Sequence, residues 1–429
     1  MMGFNRRQFL SRALVLPAGV LGRAGATAPS DRINVACIGA GWQGENNLKS
    51  FLEIEDVRVV AVCDVDQLHL ERAVHAVAEH YGSRDCLATT RFEEVLGRDG
   101  LDCVVLSLPD HWHGAASVAA ARAGLHVYGE KPLAGNFADA QAICEAVERY
   151  GVRWQTGSWQ RSVERFRFAC ELVRNGRIGA VRRVEVGLPG GHPDWDGRGH
   201  ETAPGPPPAT LDWDRWLGPA PWAPYCPARV HKTWWCSDYG GGMLLDWVGH
   251  HVDIAHWALD LDDTGPVEVT GTGEFPASGA VWDTAIRFRV ETRYEGGLEM
   301  LLSGGYDEVP RGVKWIGDEG WIWVDRNGFE TQPASVGRSR ISSAETRLPR
   351  SPGHHRQFID CIRTGGLTLS PPRVSLRSTT PGYLGRISML LGRTIRWDPH
   401  NQRITGDEQA ARMLSRPHRS PWGISFGRT

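Results

Sequence analysis

The chain has 429 residues, of which 41% are hydrophobic and 23% charged, with a formal net charge of -2. That length accommodates two domains, each able to bury a core of its own. The near-neutral balance, with no basic block beyond the extreme N-terminus, excludes nucleic acid as a partner, and no apolar run after residue 28 could span a bilayer.

Residues 1–28 carry Arg6-Arg7, an apolar run from Ala13 to Leu21, and the small residues Ala24-Gly25-Ala26 and Ala26-Thr27-Ala28. This is the composition of a twin-arginine export signal, which lies outside the fold and predicts a periplasmic protein that folds before it crosses. The nine cysteines include no Cys-x-x-Cys pair. Cys37, Cys63 and Cys103 fall in apolar strand-like runs, where a thiol behaves as a small hydrophobe, and a Cys226–Cys236 disulfide stays open. The lysines are Lys49, Lys131, Lys232 and Lys314; every other basic side chain of this kind is arginine, which cannot deprotonate.

From Arg32 the pattern alternates strand and helix. Ile33–Ile38 reads as a buried strand, Gly39-Ala40-Gly41-Trp42-Gln43-Gly44 follows at once, and a helix runs on to about Leu52. Val57–Cys63 is the next strand and ends on Asp64, twenty residues after Gly44. Cys103–Leu108 and His126–Tyr128 are further strands, with helices over Gly114–Ala123 and Ala138–Tyr150. This predicts a doubly wound parallel α/β domain over residues 31–152.

In that context the glycine motif is a dinucleotide fingerprint. Gly39 makes the tight turn, Gly41 lets a pyrophosphate approach the backbone, and Gly44 allows close helix packing, with Trp42 and Gln43 in the first helical turn. Asp64 is placed to accept from adenosine ribose hydroxyls and to repel a 2′-phosphate, so NAD is expected rather than NADP. Two stretches at strand ends should line the nicotinamide crevice: Pro109-Asp110-His111-Trp112-His113 and Glu130-Lys131-Pro132. For His111 and His113 a packing role and a cofactor role stay open.

Residues 153–429 change texture. Pro189–Pro224 is rich in Gly, Pro, Trp and Asp and reads as long loops, while Ala285–Val290, Leu298–Leu302 and Trp315–Ile322 alternate like strands of an antiparallel sheet with one buried face. Helical signals return at His354–Arg363 and Gly382–Leu391. Gly240-Gly241-Gly242 opens a helical stretch in which Asp246 and His250, four apart, share one face. A carboxylate beside an imidazole predicts a proton-transfer pair titrating near neutral pH. Lys232 and Trp234-Trp235 precede the glycines in a loop expected to border the pocket, where indoles either pack or offer faces to a sugar. His192, Asp194, Asp196 and His200 cluster in another loop, but their spacing fits no strong metal-ligand motif, and no metal is expected.

Gly39–Gly44 with Asp64, Pro109–His113, Glu130-Lys131-Pro132, Leu211–Pro219, Gly240–Asp253 and Arg396–Pro399 together resemble the glucose–fructose oxidoreductase, inositol dehydrogenase and MocA (Gfo/Idh/MocA) family, over nearly all of the chain after the signal. The resemblance implies a Rossmann domain followed by an α/β domain whose open, mostly antiparallel sheet faces substrate or a partner subunit. It implies a homo-oligomer, and a Lys–Asp–His constellation that falls on Lys131, Asp246 and His250. In that reading Lys131 hydrogen-bonds the reacting hydroxyl and the nicotinamide ribose, His250 takes the hydroxyl proton, and Asp246 orients substrate and base. His251 departs from many family members, and either adds chemistry or faces the core. An NAD-dependent oxidoreductase acting on a sugar, polyol or glycoside hydroxyl is expected. A redox-neutral hydrolase or lyase that oxidises, eliminates, hydrates and reduces is the alternative, with a non-catalytic binding protein third.

Overall fold

The computed structural model describes residues 31–424. The expected export signal at residues 1–28 lies outside the described residues. The N-terminal half alternates β1 (Ile33–Ile38), α1 (Trp42–Leu52), β2 (Val57–Cys63), α2 (Gln67–Tyr81), β3 (Leu87–Thr89), α3 (Phe92–Leu96), β4 (Cys103–Leu106), α4 (Asp110–Arg122), β5 (His126–Gly129), α5 (Phe137–Tyr150) and β6 (Trp154–Thr156). Its six strands are parallel in the order β3-β2-β1-β4-β5-β6. The strand order reverses between β1 and β4, so a crevice opens at their carboxyl ends. β4 is fully buried because helices cover both faces, which is why its sequence is a continuous apolar run.

The C-terminal half contains α6 (Glu164–Arg174), β7 (Val181–Leu188), α7 (Trp213–Leu217), α8 (Pro227–His231), α9 (Gly242–Leu259), β8 (Glu268–Glu274), β9 (Arg287–Arg293), β10 (Glu299–Gly304), β11 (Gly312–Gly317), β12 (Gly320–Val324), β13 (Phe329–Gln332), α10 (His354–Thr364), α11 (Pro372–Leu391), β14 (Ile395–Asp398), β15 (Arg403–Ile404) and α12 (Glu408–Arg412). Its nine strands run β13-β12-β11-β7-β10-β9-β8-β14-β15, antiparallel except for the β7–β10 pair. α9 and α11 pack on one face of this sheet. On β9 the side chains alternate, with Arg287, Glu291 and Arg293 pointing to solvent, whereas β10 is buried on both faces after Glu299.

Several expected boundaries move, for local reasons. The Trp315–Ile322 run is a hairpin rather than one strand, because the chain reverses at Asp318-Glu319 between β11 and β12. The last long helix starts at Pro372, ten residues before Gly382; Pro at its first turn lacks only a donor that would have no partner there. The helix expected from Gly114 starts four residues earlier, since Pro109 caps α4 and Asp110–His113 form its first turn. All nine cysteines are free thiols. No helix among the described residues is long and apolar enough to cross a membrane.

The two sequence halves are interwoven in space. α10 returns from residue 354 to the N-terminal sheet, where Phe358 and Ile359 join Phe51 and Tyr128 in one core. His355 stacks on Tyr128 at 5.0 Å, and Arg363 Nε donates to Asp56 Oδ2 at 2.9 Å. A second seam joins the end of β2 to the loop before α7: Gln67 N donates to Thr210 O (2.9 Å) and Asp212 N to Val65 O (3.0 Å).

Candidate active site

At the glycine turn Gly39 has φ +88°, and a side chain there would strike the Ser107 carbonyl at 2.2 Å. A side chain on Gly44 would meet Gly39 O at 2.0 Å, so this glycine lets α1 lie against the turn. Gly41 differs: a Cβ there would find only the His69 ring, 3.9 Å away, so the surface above the turn is open. No side chain caps the N-terminus of α1, and its first amides face that opening beside the exposed Trp42. Asp64 stands at the rim; Oδ2 accepts from Ala40 N (2.7 Å) and Oδ1 from Asp66 N (2.8 Å). Each oxygen keeps a further lone pair for a ribose hydroxyl. An uncapped helix N-terminus, an open glycine and a rim carboxylate fit a dinucleotide.

His69, which the sequence reading passed over, is the extra group here. Its Nδ1 lies 3.6 Å from Asp64 Oδ2, and that carboxylate raises its pKa above the usual value against the opposing effect of burial.

Glu130 is expected to meet the cofactor, but its carboxylate is engaged by the protein. Oε1 accepts from Gln43 Nε2 (3.0 Å) and Asn47 Nδ2 (2.9 Å), and Oε2 from Lys131 N (3.3 Å). It therefore ties α1 to the turn after β5, and Gln43 is committed with it. His111 and His113 likewise have ring nitrogens against backbone carbonyls. His111 Nε2 bonds Trp216 O at 3.0 Å, and burial lowers its pKa to about 4. The His113 ring nitrogens face Pro132 O (2.7 Å) and Leu108 O (2.8 Å), and burial lowers its pKa as well.

Across the crevice, α9 brings Asp246 to Lys131. Lys131 Nζ donates to Asp246 Oδ1 at 2.5 Å and to Asp246 O at 3.3 Å. Desolvation would lower the lysine pKa, but Asp246, with Glu130 and Asp110 behind it, raises it instead, so Lys131 is an ammonium. His250, one turn along α9, is buried and forms no bond to Asp246; its Nδ1 has no partner on the protein. Burial first, then Lys131, Arg326, His251 and Arg311, drive its pKa well below the usual value. This corrects the expected neutral-pH titration: Asp246 serves the lysine, and the imidazole is neutral. Trp247 and Trp159 stand against His250 at 5.4 and 6.4 Å between ring centroids.

His251 points the other way. It is 0% exposed and its Nδ1 bonds Gly187 O of β7 at 3.0 Å, with the pKa lowered by burial to about 3. Consecutive helical residues are rotated by about 100°, so the two imidazoles leave α9 in different directions, although the Trp247 ring lies against both. Lys232 is held by Asp196 (3.0 Å) between the rings of Trp195 and Trp234. Trp234 backs onto Gly240, where a Cβ would lie 2.6 Å from its Cα and 3.0 Å from Asp110 Oδ2. Asp110 itself is buried with that oxygen unpartnered; burial first, then Asp246, raises its pKa to about 7. The chemistry at hand is thus a charged donor and a neutral acceptor of protons, side by side. Among the described residues no group of three or more His, Cys, Asp or Glu is placed to hold a metal ion.

Comparison with known proteins agrees with this architecture. The chain matches the glycosyl hydrolase family 109 protein 2 of Shewanella sp. (strain ANA-3) at 30% identity over 172 residues, 34% of this chain and 38% of that one. It matches the alpha-N-acetylgalactosaminidase of Shewanella oneidensis at 26% over 174 residues, and so spans about 38% of the length of these curated relatives. Among solved structures, the fold is that of the WlbA dehydrogenase from Bordetella pertussis, in complex with NADH and UDP-GlcNAcA (TM-score 0.62, 18% identity, 86% of this chain and 99% of that one). It is equally that of the aldose–aldose oxidoreductase from Caulobacter crescentus (TM-score 0.63, 19% identity, 85% and 99%). Residues 33–158 match the NAD-binding Rossmann fold of an oxidoreductase family and residues 166–424 its C-terminal alpha/beta domain, so the chain belongs to the Gfo/Idh/MocA oxidoreductase family.

Proposed function

We propose that the protein is an NAD-dependent oxidoreductase acting on a hydroxyl of a sugar, polyol or glycoside. The observation that carries this reading is the Lys131–Asp246 ion pair set beside a buried, neutral His250. Gly39, Gly41, Gly44, the first turn of α1 and Asp64 would hold NAD, which supplies the hydride acceptor when bound. The Lys131 ammonium donates a hydrogen bond to the reacting hydroxyl oxygen and stabilises its developing negative charge. His250 takes the hydroxyl proton; it is already in its base form at neutral pH. Asp246 fixes the ammonium, while Trp159 and Trp247 exclude water from the imidazole.

A redox-neutral glycoside cleavage is the second reading, favoured by the likeness to family 109 glycosyl hydrolases. Both readings use the same residues, and both suit a cofactor that stays bound through successive turnovers in an exported protein. Assembly into a homo-oligomer is proposed with either reading on the family resemblance. The deciding experiment gives purified protein a chromogenic glycoside without added NAD, and separately a polyol with NAD, while NADH absorbance is followed. Net NADH from the polyol supports the oxidoreductase; aglycone release without net NADH replaces it with the hydrolase.

A further inference from the structure

Two arginines lie on Trp247. The β11–β12 register pairs Val313 with Val324, so residues 311 and 326 face each other at the open end of the hairpin. The Arg311 guanidinium sits 4.0 Å from the Trp247 ring centroid; that of Arg326 sits 4.5 Å from Trp247 and 4.7 Å from Trp159. Those two indoles are the ones that touch His250, so the hairpin carries both cations to the rim of the proposed site. A guanidinium stacked on a ring keeps its N–H edge free for another ligand.

Neither cation is in an ion pair. Among the described residues no carboxylate pairs with Arg311 or Arg326; Arg326 Nε donates only to the neutral Gln160 Oε1, at 3.2 Å. Asp325 attracts both guanidiniums, and Asp246 attracts Arg326, only from beyond ion-pair distance. Asp325 accepts the turn amides of Asn327 (2.6 Å) and Gly328 (2.5 Å), and Asp246 holds Lys131. Two guanidiniums without an ion pair of their own therefore stand, with the paired Lys131, around one neutral imidazole. Burial lowers both arginine pKa values, that of Arg326 to about 10, where Arg311 adds to the effect and Asp246 and Asp325 oppose it. A half-buried like-charge pair of this kind is costly unless a ligand neutralises it.

We propose that the substrate is a sugar bearing a carboxylate, of the hexuronate class, whose anionic group is bound by the paired N–H edges of Arg311 and Arg326 while a ring hydroxyl meets Lys131 and His250. This rests on the oxidoreductase reading for the hydroxyl, but the arginine pair for the carboxylate stands on its own geometry. A planar carboxylate matches a guanidinium fork with two parallel hydrogen bonds, a fit that a neutral hydroxymethyl group does not reproduce.

The test titrates NAD-loaded protein with glucuronate and with glucose, reading binding by isothermal calorimetry. Glucuronate is expected to bind about 10- to 100-fold more tightly, in line with one or two charge-assisted contacts, and to lose that advantage as salt is added. In the Arg311→Met/Arg326→Met variant the two sugars should bind alike. Equal binding of both sugars by the unaltered protein overturns the inference, as does a preference that survives in the double variant. Tighter binding of glucose 6-sulfate than of glucuronate overturns the assignment to a carboxylate. The salt titration decides the matter if the variant does not fold. NADH formation, followed in parallel, separates the two readings: turnover of glucose without any preference for glucuronate sinks only the inference. Preferential glucuronate binding without turnover of any sugar sinks only the oxidoreductase reading.

Discussion

His69 Nδ1 lies 3.6 Å from Asp64 Oδ2, so the carboxylate expected to select the cofactor has a titratable neighbour on the first turn of α2. Asp64 raises the His69 pKa above its usual value. At alkaline pH the imidazole is neutral, and the bare carboxylate repels a 2′-phosphate. As pH falls through the raised pKa the imidazolium forms and offsets that charge. NADH should therefore bind at least about 10-fold more tightly than NADPH at pH 8, the worth of about 1.4 kcal/mol of like-charge repulsion. The gap should narrow on acidification. His69→Gln should leave the preference independent of pH; an unchanged slope in that variant would show that another group titrates.

Lys131→Ala and His250→Ala should each lower turnover by at least about 100-fold, the ordinary contribution of a positioned proton donor or acceptor. NADH affinity should stay within about threefold in both, because the glycine turn and Asp64 are untouched. Parallel measurement of kcat and of NADH binding by fluorescence checks this. Near-normal turnover in either variant returns that residue to a packing role.

Acid should unfold this protein early. His111, His256 and His355 have pKa values lowered by burial to about 4, and His251 and His354 to about 3. Below pH 6.5 the unfolded chain takes up protons that the folded one refuses, so stability falls as the pH drops from 6.5 toward these values. Each imidazole contributes at most about 1.4 kcal/mol per pH unit in that window. Urea midpoints at pH 7 and pH 5 measure the slope. His251→Gln, which keeps a donor toward Gly187 O without titrating, should make it shallower.

Asp110 acts in the opposite sense. Its folded-state pKa is raised to about 7, so between pH 4 and 7 the unfolded chain loses a proton that the folded one keeps. Stability from this group is lost as the pH rises. Asp110→Asn removes that cost and should stabilise the fold at pH 8 by about 1–2 kcal/mol, readable as a higher urea midpoint. A destabilised variant would mean that the ionised carboxylate is held by Lys131 more strongly than burial opposes it.

What could be read in advance was what lies close together in the chain. The Gly39–Gly44 turn, its spacing to Asp64, and the four-residue step from Asp246 to His250 are local periodicities, and the fold honours all three. The pairing of Asp246 with Lys131 came from the family resemblance and from no local periodicity, because the two are 115 residues apart and only the packing of α9 across the crevice brings them together. Arg311 and Arg326 escaped for the same reason: alone each is an ordinary loop arginine, and it takes the β11–β12 register to set them side by side. His69 could have been found, since it follows Asp64 by five residues at the start of an amphipathic helix. Glu130, His111 and His113 were placed at the right strand ends, but strand ends position backbone; side-chain direction there depends on which carbonyls need donors.

The return of α10 to the N-terminal sheet also sets an order of events during synthesis. Until residue 364 has left the ribosome, Phe51 and Tyr128 have no Phe358 or Ile359 to cover them, and Asp56 has no Arg363. The nucleotide half therefore cannot finish folding as the chain emerges, although it is made first. It waits, apolar and in need of shelter, for more than two hundred further residues. A truncated chain ending near residue 152 would expose that surface permanently, and ought to be found in aggregates or bound to chaperones rather than as a free nucleotide-binding fragment.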